Sequence, residues 1–196
     1  MFGYEFYVDT TRCIGCQSCL TACEECETHR GVSMINFDFI DRPNTIATAA
    51  LVCFHCEDPT CAQVCPADAI KKGEDGIVHS SLKPRCIGCS NCVLACPFGI
   101  PKLIPEYDQM IKCDMCYDRT SVGKRPMCAT VCPSQALAYV RPEEIAKRRE
   151  KPSNTVRFGN QIVTTKVFLM APADRKEIVL DVTEYMWEGD HAGVRR

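Results

Sequence analysis

The chain has 196 residues, a formal net charge of −2, 46% apolar and 24% charged residues. That suffices for one domain with an appendage and offers no basic face of the kind nucleic-acid binding needs. The decisive number is seventeen cysteines: an odd count, grouped in C-x₂-C pairs, argues against a secreted disulfide framework and for thiolates converging on metal.

Met1 to Asp9 alternates Tyr4, Phe6 and Val8 against Glu5, Tyr7 and Asp9, which predicts a strand. The first cysteine run follows, Cys13, Cys16, Cys19 and Cys23, with Glu24, Glu25 and Cys26 where a proline would be expected. Ile35 to Asp41 predicts a second alternating strand, and Arg42 to Asn44 a turn. The second run is Cys53, Cys56, Cys61 and Cys65, then Pro66, with a gap of four residues between its second and third cysteines. Ala67–Ile70 and Gly76–Ser80 predict short strands around a turn at Lys71 to Gly76. The third run, CIGCSNCVLACP, places Cys86, Cys89, Cys92 and Cys96 before Pro97. The fourth places Cys113 and Cys116, then an eleven-residue polar loop, then Cys128, Cys132 and Pro133, and Ala136–Val140 predicts a strand.

After Val140 the cysteines stop. Pro142-Glu143-Glu144 opens a charged helix expected to run to about Lys151, with proline and acids in the first turn. Thr155–Phe158 and Gln161–Met170 flank Gly159-Asn160 as a hairpin, and Glu177–Val182 is a further strand. The last residues, with Trp187, Arg195 and Arg196, are expected to form a surface tail. No apolar run approaches the roughly 18 residues of a transmembrane helix. Residues 1–12 have neither a basic start nor an apolar core, so no signal peptide is expected. The expected location is cytoplasmic, with export alongside a partner left open.

The third run has the C-x₂-C-x₂-C-x₃-C-P spacing of bacterial ferredoxins. Cys86, Cys89 and Cys92 lie on one tight loop, so their thiolates can take three irons of one cubane. Cys96 lies past a helical turn, and in two-cluster ferredoxins such a fourth cysteine ligates the other cluster. A zinc site or a disulfide knot lacks this rhythm. Four runs make the chain an internal repeat of cysteine loop, helical turn and strand. They use sixteen of the seventeen cysteines and leave Cys26 over, as a buried spare thiol or an alternative to Cys23.

The stretches HCEDPTCAQVCPADAI, RCIGCSNCVLACPFGIPK and KCDMCYDRTSVGKRPMCATVCPSQAL resemble the four-cluster iron–sulfur subunits of complex iron–sulfur molybdoenzymes, the group that includes those of dimethyl sulfoxide reductase, polysulfide reductase and formate dehydrogenase. The match runs from residue 4 to about 140. The resemblance implies an α+β fold of two nested bacterial-ferredoxin-like halves with short strands, small helices and long loops. The outer half would be 1–50 with 105–140, the inner half 51–104, and 141–196 a β-rich C-terminal extension. It also implies four 4Fe-4S clusters: Cys13, Cys16, Cys19 with Cys132; Cys53, Cys56, Cys61 with Cys96; Cys86, Cys89, Cys92 with Cys65; and Cys113, Cys116, Cys128 with Cys23. The missing proline leaves the choice between Cys23 and Cys26 open.

No nucleophile elbow, P-loop or dinucleotide fingerprint is present, so catalysis is expected on another subunit. The expected function is electron transfer between a catalytic oxidoreductase chain, of molybdenum or tungsten pterin type, and a second redox partner such as a membrane anchor. A free polyferredoxin, a subunit of a hydrogenase or tungsten aldehyde oxidoreductase complex, and a structural zinc module are the alternatives. The extension favours a fixed partner over a free carrier. Val163, Val167 and Leu169 share one side of its hairpin and need a cover. A partner surface is preferred over the chain's own body, so deleting the extension is expected to spare the clusters. Lys112 could raise a potential by its charge, though a solvated lysine is the commoner case. His55 could bond a cluster sulfur or face a partner. His29, His79 and His191 are expected on the surface.

Overall fold

The computed structural model describes residues 3–29, 31–42, 45–171 and 178–179. Strand β1 (Glu5–Val8) leads into the first cysteine loop and helix α1 (Ser18–Glu24). Strands β2 (Asn36–Arg42) and β3 (Thr45–Leu51) pair antiparallel, from Asn36 opposite Leu51 to Arg42 opposite Thr45. Helices α2 (Thr60–Gln63) and α3 (Asn91–Ala95) belong to the second and third runs. Strands β4 (Lys102–Ile104) and β5 (Gln109–Ile111) form a second antiparallel pair. Helices α4 (Tyr117–Thr120) and α5 (Met127–Val131), strand β6 (Leu137–Val140) and helix α6 (Pro142–Ile145) follow. Strands β7 (Lys151–Phe158), β8 (Gln161–Ala171) and β9 (Ile178–Val179) close the described chain.

The largest sheet has the order β6-β1-β8-β7-β9. β1 is antiparallel to β6 and parallel to β8, so it lies between an element of the fourth run and the C-terminal hairpin. A central strand is covered on both faces, and its alternation sorts the two layers. Phe6 and Val8 enter the main core with Met34, Val52, Ile77 and Val167, whereas Tyr7 packs on the opposite face with Ala138, Ile145 and Met170. Ile145 is 1% exposed, so α6 serves as the lid of that second layer. Helix α1 packs against α5, and α2 against α3.

Several expectations need correction. Ala67–Ile70 is not a strand, and around the Lys71–Gly76 turn there is a single bridge between Lys72 and Val78. The charged helix ends at Ile145, and Lys151 already opens β7. Strands β3, β4 and β5 were not expected. The hairpin turn does fall at Gly159-Asn160.

Of the hairpin face formed by Val163, Val167 and Leu169, Val167 is fully buried in the main core and Leu169 packs against that core, so this end of the face is turned onto the chain's own body. Thr165 bridges Cys56, Lys166 donates its N–H to the Phe54 and His55 carbonyls at 3.1 Å, and Glu57 donates to Thr164 at 2.8 Å. The C-terminal hairpin is thereby built into the second cysteine loop. Its length no longer argues for a fixed partner. Of Glu177–Val182 only β9 is described, and Trp187, His191, Arg195 and Arg196 lie outside the described residues. Among the described residues no helix is long and apolar enough to cross a membrane.

Candidate metal centres

The four cysteine loops share one backbone device. The residue before the second cysteine is left-handed in each: Gly15 at φ +72°, His55 at +48°, Gly88 at +67° and Met115 at +62°. Only glycine takes this conformation freely, so His55 and Met115 hold it because the loop requires the bend. A second device closes the last three runs. Asp68, Gly99 and Gln135, each three residues past the fourth cysteine, are also left-handed. They donate back to the carbonyls of Cys65, Cys96 and Cys132 at 3.2, 3.1 and 3.2 Å.

The first run departs here for a reason visible in its sequence. Proline pushes the residue before it out of the helical region, and Cys96 and Cys132 are extended, with ψ of 116° and 106°. Without proline, α1 continues through Cys23 to Glu24. Cys26 occupies the closing position and bonds the Cys23 carbonyl at 3.2 Å.

The loops bring distant cysteines together. Cys13, Cys16, Cys19 and Cys132 line one cavity with Phe37, Ala50 and Leu137. Cys65, Cys86, Cys89 and Cys92 line another with Ile70, Leu103 and Met110. Burial pushes the Cys56 thiol up to about 12, and the charges of Cys53, Cys96 and Cys61 add to the shift. Burial raises Cys128 well above the ordinary range, followed by Cys113, Cys23 and Cys19. Cys113 is raised by burial, then by Cys53 and Cys23. The first three cysteines of each run therefore meet the fourth cysteine of another.

Four thiolates crowded into a dry site repel one another, and a cationic iron–sulfide core relieves that repulsion. Soft thiolate sets suit such cores. Backbone N–H groups already point at the sulfurs: Met34 to Cys23 and Ala69 to Cys65 at 3.3 Å, Met115 to Cys113 at 3.4 Å, and Met110 to Cys86 and Leu137 to Cys132 at 3.5 Å. Such outer bonds orient ligands and tune the metal, so the residues present fit 4Fe-4S clusters.

A family model described as a 4Fe-4S dicluster domain matches residues 44–141. The sequence is 36% identical to the B subunit of anaerobic dimethyl sulfoxide reductase from Escherichia coli, over 74% of this chain and 77% of the relative. The chain belongs to this iron–sulfur family. It is also 39% identical to the thiosulfate reductase electron transfer subunit PhsB of Salmonella typhi, over 72% of this chain and 77% of that protein. Identity to the formate dehydrogenase-O iron-sulfur subunit of Escherichia coli is 35%, over 67% of this chain and 51% of that protein. Members of the family are 4Fe-4S electron-transfer subunits of oxidoreductase complexes, and not their catalytic chains.

Around the cysteine loops of this iron–sulfur subunit, His29, His55 and Lys112 are more deeply buried than the sequence suggests. His29 is buried, not on the surface: Nδ1 lies 3.2 Å from Cys23 Sγ, and Nε2 3.2 Å from Asp114 Oδ1. Burial works to lower its pKa, but the bonds to Asp114 and Cys23 outweigh that and lift it to about 10. His55 is buried and accepts the Val78 N–H on Nδ1 at 3.0 Å, so it does not face a partner, while its Nε2 has no hydrogen-bond partner among the described residues. His79 is half-buried, edge-on to Tyr117 at 4.6 Å. Lys112 is fully buried, not solvated.

Cys26 is also buried, with Sγ 3.2 Å from Thr28 Oγ1 and 3.6 Å from Asp118 Oδ1. Its hydrogen bond with Cys116 draws the Cys26 thiol down and pushes Cys116 up. Both Cys23 and Cys26 thus adjoin the fourth run. Cys26, His29 and Asp114 hold their ligand atoms within 4.8 Å of one another. Both His29 nitrogens are already engaged, so the trio reads as support for Cys23 and not as a separate metal site.

Proposed function

We propose that the chain holds four 4Fe-4S clusters in two nested pairs and conducts single electrons between a catalytic oxidoreductase subunit and a second redox partner. The ligand sets are Cys13, Cys16, Cys19 and Cys132; Cys53, Cys56, Cys61 and Cys96; Cys65, Cys86, Cys89 and Cys92; and Cys23, Cys113, Cys116 and Cys128. Each cluster, when bound, accepts and gives up one electron at a potential set by hydrogen bonds, burial and charge. Nesting is supported by the packing of α1 on α5 and of α2 on α3.

One observation carries the reading. Neighbouring sets adjoin in series: α1 of the first run packs on α5 of the fourth, the Lys112 ammonium reaches both Cys53 Sγ and the Cys113 carbonyl, and α2 of the second run packs on α3 of the third. The first-run and fourth-run sets, then the second-run and third-run sets, form a line. Exposed ligands occur only at its two ends, Cys16 and Cys89. Each end also carries bare apolar side chains, Ile14 at one and Ile87 with Leu94 at the other, the last 84% exposed. A diffusing carrier has no use for two such ends, whereas a fixed conductor needs one for each partner. The motif resemblance to molybdoenzyme subunits makes the donor or acceptor at one end a molybdenum or tungsten pterin chain.

Anaerobic iron and sulfide analysis should give about sixteen of each per chain. About eight irons, or stoichiometric zinc, would overturn the four-cluster reading. Leu94→Asp and Ile14→Asp should each keep full iron and release a different partner from the native complex. Release of neither would favour the free carrier.

A further inference from the structure

Lys112 separates the second-run and fourth-run sets, halfway along the series. Its side chain is 0% exposed. The ammonium donates to the Val78 carbonyl, to the Cys113 carbonyl at 3.0 Å and to Cys53 Sγ at 3.6 Å. An ammonium has three N–H donors and no acceptor, so three acceptors match the charged form, whereas a neutral amine would leave one of them unserved.

A buried charge is costly without a counter-charge. Among the described residues no carboxylate lies within ion-pair distance of Lys112, and the neighbouring Asp114 is taken by His29. Asp114 still feels the Lys112 charge from beyond ion-pair distance, but the negative group in direct contact is a thiolate. Cys53 accepts its hydrogen bond directly, at 3.6 Å. An anionic thiolate-bound cluster is the counter-charge this cavity supplies.

We propose that Lys112 is a positioning residue for charge, raising the reduction potential of the second-run cluster and, less strongly, of the fourth-run cluster. The electron then has its most favourable stopping point in the buried middle of the series. In the step between these two clusters one electron leaves one and arrives on the other. No bond forms or breaks, and no proton is transferred in the step. This inference rests on the reading of Cys53, Cys56, Cys61 and Cys96 as cluster ligands.

The test is a potentiometric titration of the full chain followed by electron paramagnetic resonance, with iron counted in the same samples. Lys112→Met, which keeps the stem and removes the charge, should retain full iron. The second-run cluster should shift to lower potential, the fourth-run cluster should shift less, and the first-run and third-run clusters should stay put. Unchanged potentials at full iron, or an equal shift of all four, would overturn the role. If Lys112→Met loses iron, Lys112→Arg decides. Full iron with wild-type potentials supports the charge. Lowered potentials, or iron lost again, show that Lys112 is a packing element only. A wild-type chain without four clusters would instead fail the underlying reading, so the two failures are distinct.

Discussion

His29 Nε2 and Asp114 Oδ1 stand 3.2 Å apart although 85 residues separate them in the chain. The pair joins the turn after α1 to the loop of the fourth run, and both side chains are almost fully enclosed, at 1% and 8% exposure. Removing one partner of such a pair leaves the other buried without its counter-charge. Asp114→Ala should destabilise the fold by roughly 3–5 kcal/mol. The loss is read as an earlier midpoint for visible absorption in a denaturant titration. A midpoint equal to wild type would show that the pair is idle.

Cys23 and Cys26 compete for one ligand place, and the contacts favour Cys23. It accepts the Met34 N–H and lies against His29, as a thiolate ligand would. Cys23 also acts on both Cys113 and Cys128, whereas Cys26 bonds Cys116 together with Thr28 and Asp118. Cys26→Ala should leave the iron count unchanged, and Cys23→Ala should lower it by up to about four. The reverse pattern would reassign the ligand.

Cys132 lines the cavity of Cys13, Cys16 and Cys19, not that of its own run. Cys132→Ser should therefore damage the first-run cluster and spare the one bound by Cys113, Cys116 and Cys128. Resolved spectra of the variant would show which signal is lost. Loss confined to the fourth-run signal would mean that each run closes on itself.

Removing everything after Arg141 takes β7 and β8 from the central sheet. It also removes the partners of Phe54, His55, Cys56 and Glu57. Such a truncation should lose the second-run cluster and unfold at lower denaturant than the full chain. Retention of all iron would restore the view of a dispensable extension.

The cysteine loops and the helical turns behind them could be read from the sequence because ligand spacing is local: three thiolates on one loop leave few arrangements. Strands β4 and β5 could not, since three residues such as Lys102–Ile104 hold less than two periods of alternation. The burial of His29 and Lys112 was hidden for another reason. A titratable side chain shows its surroundings only once distant segments fold over it. Lys112 did leave one trace, being set between Met110, Ile111 and Cys113 in an otherwise apolar stretch. The hairpin face of Val163, Val167 and Leu169 was recognised as apolar, but the pattern carried no word on which surface would meet it.

The placement of β1 bears on how the molecule is made. This strand is synthesised before either of its neighbours, β6 and β8, and has no partner strand until β6 has left the ribosome. The cavity of Cys65, Cys86, Cys89 and Cys92 is complete as soon as Met110 has emerged, whereas that of Cys13, Cys16 and Cys19 waits for Cys132 and Leu137. Chains emerge amino end first, and closing a longer loop carries a larger entropic cost. Iron loading that begins during translation would start in the interior of the sequence and finish at its amino-terminal loop. A nascent chain stalled between these points would hold its third-run cluster while the first-run cysteines were still open to oxidation.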